Sequence, residues 1–344
     1  MSVNTQPLTG ESTTAGLEPT PAAPARTALV FMFPGQSSAT PDLLVRARLA
    51  HAASAQVVDA AHRVLGAERA SRYLSDDGAA LESNRDVQLS VFLATQMYLT
   101  ALASEGVHAD QSLGLSLGEY SHVVEIGALA LEDALALVDE RGRCYDEAPP
   151  GIMVTVMAVD HDTVAEVVAR VQTHGPVAIS NYNAPTQHVL AGTREAVARA
   201  AAVLEDEHGA ITNTIEERVP MHSTLMRPVA EMFAPALTRA PWRTPARPYW
   251  PNVAGAPVAC AGPRDFIGSL TRHVSEPVRW QTSIDAVVAS HPDVSFVEVG
   301  PGRVLHNLLK RAKRGVPCSR VDGLDEAGPA AHFQSIVEVL RDRR

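Results

Sequence analysis

Between residues 151 and 219 the hydrophobic period switches repeatedly, and the order of the switches allows few folds. Alternation over 153–159 reads as a strand, and three-to-four spacing over 163–172 as a helix. Strand patterns at 177–183 and 188–191 flank Ala184 and Pro185; a helix pattern over 195–207 then leads to a last strand at 211–216. The order β-α-β-β-α-β is that of a split βαβ, ferredoxin-like unit. On either side the pattern differs. Residues 27–33 are a continuous apolar run ended by Pro34 and Gly35, as in a buried parallel strand that hands the chain to a loop. Helical spacing then dominates to about residue 108, including 87–102, and a long helical stretch is expected over 119–146. The last clear strand, 296–300, turns at Pro301-Gly302 into a short helix. The expected fold class is α/β, with a large unit over 28–150 and 220–330, a small inserted α+β unit over 151–219, and a C-terminal helix or tail over 331–344.

The 344 residues are 46% hydrophobic, enough for a sizeable core. Acidic residues outnumber basic ones by 39 to 29, a net charge of −10, which disfavours a general nucleic-acid or anionic-membrane binder. No run reaches the ~18 residues of unbroken apolar character needed to span a bilayer. Residues 1–27 are rich in Thr, Pro, Ala, Ser and Gly, lack a signal-peptide layout, and read as a disordered leader. The three cysteines, Cys144, Cys260 and Cys318, are far apart with no metal-ligand spacing. The expectation is a reduced, cytoplasmic enzyme without a metal; no oligomerisation motif is present, so a monomer is expected.

Gly114-Leu115-Ser116-Leu117-Gly118 fits G-x-S-x-G, in which small glycines permit a tight strand-to-helix turn that lifts a serine into a cleft. A plain helix start gives the same five residues as readily. A serine of ordinary pKa needs a base. Among 13 histidines, His222 stands out because it follows the inserted unit, yet a loop histidine without a role is the commoner outcome.

Phe33-Pro34-Gly35-Gln36-Ser37, Gly114 through Tyr120, Arg141-Gly142, Asn181 through Gln187, Met221-His222-Ser223 and Glu298-Val299-Gly300-Pro301-Gly302 occur in one order. That order resembles the malonyl-CoA:acyl-carrier-protein acyltransferases of fatty-acid synthesis and the acyltransferase domains of polyketide synthases, from about Leu29 to Arg314. The resemblance implies an α/β-hydrolase-like large domain carrying a ferredoxin-like small subdomain. It implies Ser116 as nucleophile and His222 as base, with a backbone carbonyl at His273 orienting the histidine in place of a carboxylate. Backbone N–H groups of Gln36 and Leu117 would form the oxyanion hole, and Arg141 would bind the substrate carboxylate, a task suited to its planar fork. The implied reaction is ping-pong: an acyl-CoA loads Ser116, and the phosphopantetheine thiol of an acyl carrier protein unloads it. No cofactor is required.

The chain departs from the family pattern at several positions. Ser37 and Ala39 alter the first loop, Leu115 stands where histidine is more usual, and Met221 precedes the base where phenylalanine or serine is common. Leu115 and Met221 are expected to line the acyl pocket, and a flexible methionine there could admit a branched acyl group. His273 stands where many bacterial members have glutamine. Lys310, Arg311, Lys313 and Arg314 are the densest basic cluster and a candidate docking site for an acidic carrier protein; a helix C-terminus favoured by positive charge explains them equally well. The alternatives are a trans-acting transferase for an unusual acyl group and a hydrolase that clears stalled carrier proteins, against which Arg141 argues.

Overall fold

The structure, a computed structural model, describes residues 1–2, 27–75, 81–323 and 328–342. Most of the expected leader, residues 3–26, lies outside the described residues. The large unit is built on a parallel sheet of β1 (Ala28–Phe33), β2 (Gln111–Gly114), β7 (Val294–Glu298) and β8 (Cys318–Arg320), in the order β2-β1-β7-β8. Every residue of β7, and all of β1 but Ala28, is buried. Helices cover both faces, so these strands are continuously apolar rather than alternating.

The helix Asn84–Ser104 is the core element of this unit. Ser83 caps it: the Ser83 hydroxyl accepts from the Asp86 N–H, and the Asp86 carboxylate accepts from the Ser83 N–H. By length and composition this helix could cross a membrane, which the sequence reading did not anticipate. In the fold 78% of its apolar window is buried, against helices Leu131–Asp146 and Leu43–Ala50 among others, so it is apolar all round because it is surrounded by protein. The stretch 119–146, expected as one helix, is two: Gly118–Glu125 and Leu131–Asp146. Gly127 (φ +78°) ends the first in the left-handed region, and the Ala128 N–H closes the turn on the Val123 carbonyl.

The small unit is an antiparallel sheet of β3 (Ile152–Met157), β4 (Val177–Ala184), β5 (Gln187–Gly192) and β6 (Ile211–Glu216), ordered β4-β5-β3-β6, with helices His161–Val171 and Arg194–His208. This is the ferredoxin-like order. It has its own core, which includes Val156, Val164, Leu190 and Leu204. Tyr182 N–H donates to the Val278 carbonyl and Val278 N–H to that of Ser180, tying β4 to the large unit ahead of helix Trp280–Ser290.

Loops leaving the C-terminal ends of β1, β2 and β7 converge under this second sheet, the usual place for a site in an open parallel sheet. Close approach there dictates two glycines. A Cβ on Gly118 would sit 2.0 Å from the Phe33 carbonyl oxygen, and one on Gly114 would sit 2.0 Å from the Gly118 carbonyl carbon. Both obstacles are backbone, so neither can swing aside. Gly118→Ala should cost about 3 kcal/mol of stability in a denaturant titration. Gly268→Ala is the contrast: that helical glycine has open space around its Cβ position, and the exchange should add about 0.5–1 kcal/mol.

Candidate active site

Ser116 follows β2 with φ +52°, a left-handed backbone that a non-glycine residue adopts only when its surroundings hold it there. Asn252 does this. Its Oδ1 accepts from the Ser116 N–H at 2.8 Å, and its Nδ2 donates to the Gly114 carbonyl at 2.6 Å. The turn thus projects Oγ of Ser116 to 2.7 Å from Nε2 of His222.

His222 is also left-handed, φ +58°. Its N–H donates to the Val274 carbonyl at 3.2 Å, and its Nδ1 lies 2.7 Å from the His273 carbonyl, both at the end of helix Pro263–Ser275. A carbonyl only accepts, so Nδ1 carries the proton and Nε2 presents its lone pair to the serine hydroxyl. Burial, followed by the Arg141 charge, pushes the His222 imidazole down to about 3. It is therefore neutral at ordinary pH and able to accept a proton.

Arg141 is 1% exposed. Its Nη1 donates to Oε1 of Gln88 at 2.6 Å and its Nη2 to the Tyr145 hydroxyl at 2.8 Å, with the guanidinium carbon 4.1 Å from the Tyr145 ring centroid. Both partners are neutral, Nε has none, and among the described residues no carboxylate pairs with this charge. The Glu119 carboxylate is near enough to feel this charge but makes no direct pair with it, and a buried guanidinium without a directly bonded carboxylate favours an anion.

A cavity of about 490 Å³ opens above the pair, with Gln36, Leu115, Met221 and His222 in its wall. The β4–β5 hairpin contributes Asn181, Asn183 and Gln187, and helix Val304–Ala312 contributes Val304 and Leu308. Leu117 and Arg141 lie behind this wall rather than in it. Among the described residues no carbonyl accepts from the backbone N–H of Gln36 or Leu117, and the Gln36 side chain is held by Asn84 at 3.2 Å. The basic cluster is only partly free: Lys313 pairs with Asp285 at 2.6 Å, Arg311 donates to Gln187 at 2.6 Å on the cavity rim, and Lys310 and Arg314 are exposed.

Sequence reasoning missed Asn252, Gln88, Tyr145 and Glu119. The Glu119 carboxylate, fully buried one turn past the nucleophile, accepts from the Tyr249 hydroxyl and from the Asn252 N–H at 3.2 Å, and its Oε2 lies 3.2 Å from Nδ1 of His273. Burial raises it to about 7. The His273 ring stacks on that of His222, centroids 4.7 Å apart and planes 17° from parallel. Position beside the elbow could have flagged Glu119; no local signal marks Asn252.

A family model described as the acyl transferase domain matches residues 30–332. The chain belongs to this acyltransferase family. It is 32% identical over 292 residues to the malonyl CoA-acyl carrier protein transacylase of Escherichia coli strain K12, covering 83% of this chain and 93% of that protein. The crystal structure of the Clostridium perfringens malonyl CoA-acyl carrier protein transacylase superposes with a TM-score of 0.83 at 27% identity, over 92% of this chain and 98% of that one. A structure described as a type II PKS acyl-carrier protein in complex with its malonyl-transacylase matches with a TM-score of 0.77 at 26% identity, over 90% and 100% of the two chains. In this acyltransferase the side chain of Asn252 bonds two buried backbone groups at the elbow. Asn252→Ala should remove both bonds and lower stability by about 2–4 kcal/mol, read by chemical denaturation.

Proposed function

We propose that this acyltransferase moves a malonyl group from CoA to the phosphopantetheine thiol of an acyl carrier protein. The observation that carries the reading is the buried Arg141 guanidinium, which among the described residues has no carboxylate bonded to it and is close enough to lower the basicity of His222. The malonyl carboxylate supplies a directly bonded anion, and Gln88 and Tyr145 hold the fork in place for it.

His222 takes the hydroxyl proton of Ser116 as Oγ attacks the thioester carbonyl. The oxyanion accepts from the Gln36 and Leu117 N–H groups, and the start of helix Gly118–Glu125 adds its positive end. The C–S bond then breaks, the proton passes to the leaving sulfur, and malonyl remains as a serine ester. The carrier thiol reverses these steps. The two esters are close in energy, so the cavity has to admit the pantetheine arm and exclude water. Every role is filled by a side chain or backbone group, and we read the enzyme as a cytoplasmic monomer that needs neither metal nor cofactor. Leu115 and Met221 bound the acyl group.

Intact-protein mass after brief incubation with malonyl-CoA should show one malonyl adduct, absent from Ser116→Ala and discharged by holo carrier protein. Arg141→Ala should cost malonyl transfer about 2–5 kcal/mol, or roughly 30-fold or more in kcat/KM, and spare acetyl transfer. Equal losses would contradict the carboxylate role. For docking, Lys310 and Arg314 are the cluster members free to meet an acidic partner, so reversing both charges should raise KM for the carrier protein and leave KM for malonyl-CoA unchanged.

A further inference from the structure

Serine hydrolases with a Ser-His pair usually set a carboxylate directly against the histidine, whereas here a carbonyl occupies that place. One buried carboxylate nevertheless lies one ring further back. We infer that Glu119 is a positioning residue that supplies the missing negative charge to His222 through the stacked ring of His273, while its second contact, the Asn252 N–H, holds the nucleophile's turn in register with the base. The inference rests on the reading of Ser116 as nucleophile and His222 as base; it does not depend on which acyl group is carried.

The geometry gives each link. Nδ1 of His273 is 3.2 Å from Oε2 of Glu119, the His273 ring lies against His222 at 4.7 Å, and the same Oε2 accepts from the Asn252 N–H, whose side chain carries Ser116. When Oγ of Ser116 bonds to an electrophile, its proton goes to Nε2 of His222 and an imidazolium forms in a buried site. A carboxylate behind the ring lowers the energy of that cation; a neutral carboxylic acid does not.

The groups facing Glu119 are His273 from helix Pro263–Ser275, Tyr249 from the segment before Trp250, Arg141 from helix Leu131–Asp146, and Tyr120 beside it. Burial holds the His222 and His273 imidazoles neutral across the physiological range and pushes the tyrosines up. Glu119, raised to about 7, is then the group in this cluster that changes charge between pH 6 and 8. Its active form is the ionised one, so reactivity rises with pH through that interval.

A fluorophosphonate probe reads this directly, because Oγ displaces fluoride at phosphorus whatever acyl group the cavity prefers. The second-order rate of Ser116 labelling, followed by intact mass, should rise about tenfold from pH 6 to 8. Glu119→Gln should flatten the profile and lower the pH 8 rate roughly tenfold or more. His273→Gln, which keeps the backbone carbonyl under His222 but removes the stacked ring, should flatten the rise, and it decides the matter if Glu119→Gln does not fold. A flat wild-type profile, an unchanged profile in Glu119→Gln, or retention of the full rise in His273→Gln would overturn the inference. No label on Ser116 would overturn the nucleophile assignment and this inference with it. Labelling without a malonyl adduct would contradict only the malonyl reading.

Discussion

The carboxylate of Glu119 is fully buried and meets three segments that are distant in sequence: it accepts hydrogen bonds from the Tyr249 hydroxyl and the Asn252 backbone and lies 3.2 Å from Nδ1 of His273. Glu119 itself sits in the first turn of the helix that Ser116 leads into. Through Asn252 the network fixes the elbow, and through His273 it fixes the floor under the base. Two left-handed non-glycine residues, Ser116 and His222, thereby meet with Oγ and Nε2 2.7 Å apart. Each conformation is strained on its own and persists because several hydrogen bonds over-determine it.

Much of the architecture was legible because periodicity reports burial. The six segments of the small unit announced themselves through their alternation and their helical spacing, and the strands fall within a residue or two of where the pattern put them. The apolar run ending at Pro34 marked β1 because a strand covered on both faces cannot alternate. The break at Gly127 was hidden, since apolar spacing continues across it and only the left-handed glycine interrupts the helix. The helix Asn84–Ser104 escaped the apolar-run test because buried polar residues such as Gln88, Ser90 and Gln96 punctuate it.

At the site, local motifs gave the residues that touch substrate in this reading and concealed those that hold them. Ser116 and Gly118 carry a recognisable turn because backbone approach forbids any Cβ at Gly118. Asn252 supports that turn from 136 residues away, and Gln88 meets Arg141 across 53, so spacing along the chain says nothing of either. Arg141 also turned out to be enclosed, with its fork held by Gln88 and Tyr145 behind the cavity wall. A malonyl group reaching it has to displace or share those contacts. This requirement ties acyl selection to the packing around Met221 and Leu115 rather than to an open charged surface.

The most direct test is a crystal structure of the protein acylated by malonyl-CoA. The expected result is a Ser116 ester whose carbonyl oxygen lies within hydrogen-bond reach of the Gln36 and Leu117 N–H groups, and whose carboxylate makes two bonds to the Arg141 guanidinium. An ester whose carboxylate points out past Asn183 and Gln187, with Arg141 still bound to Gln88 and Tyr145 alone, would contradict the carboxylate site and the malonyl selectivity built on it.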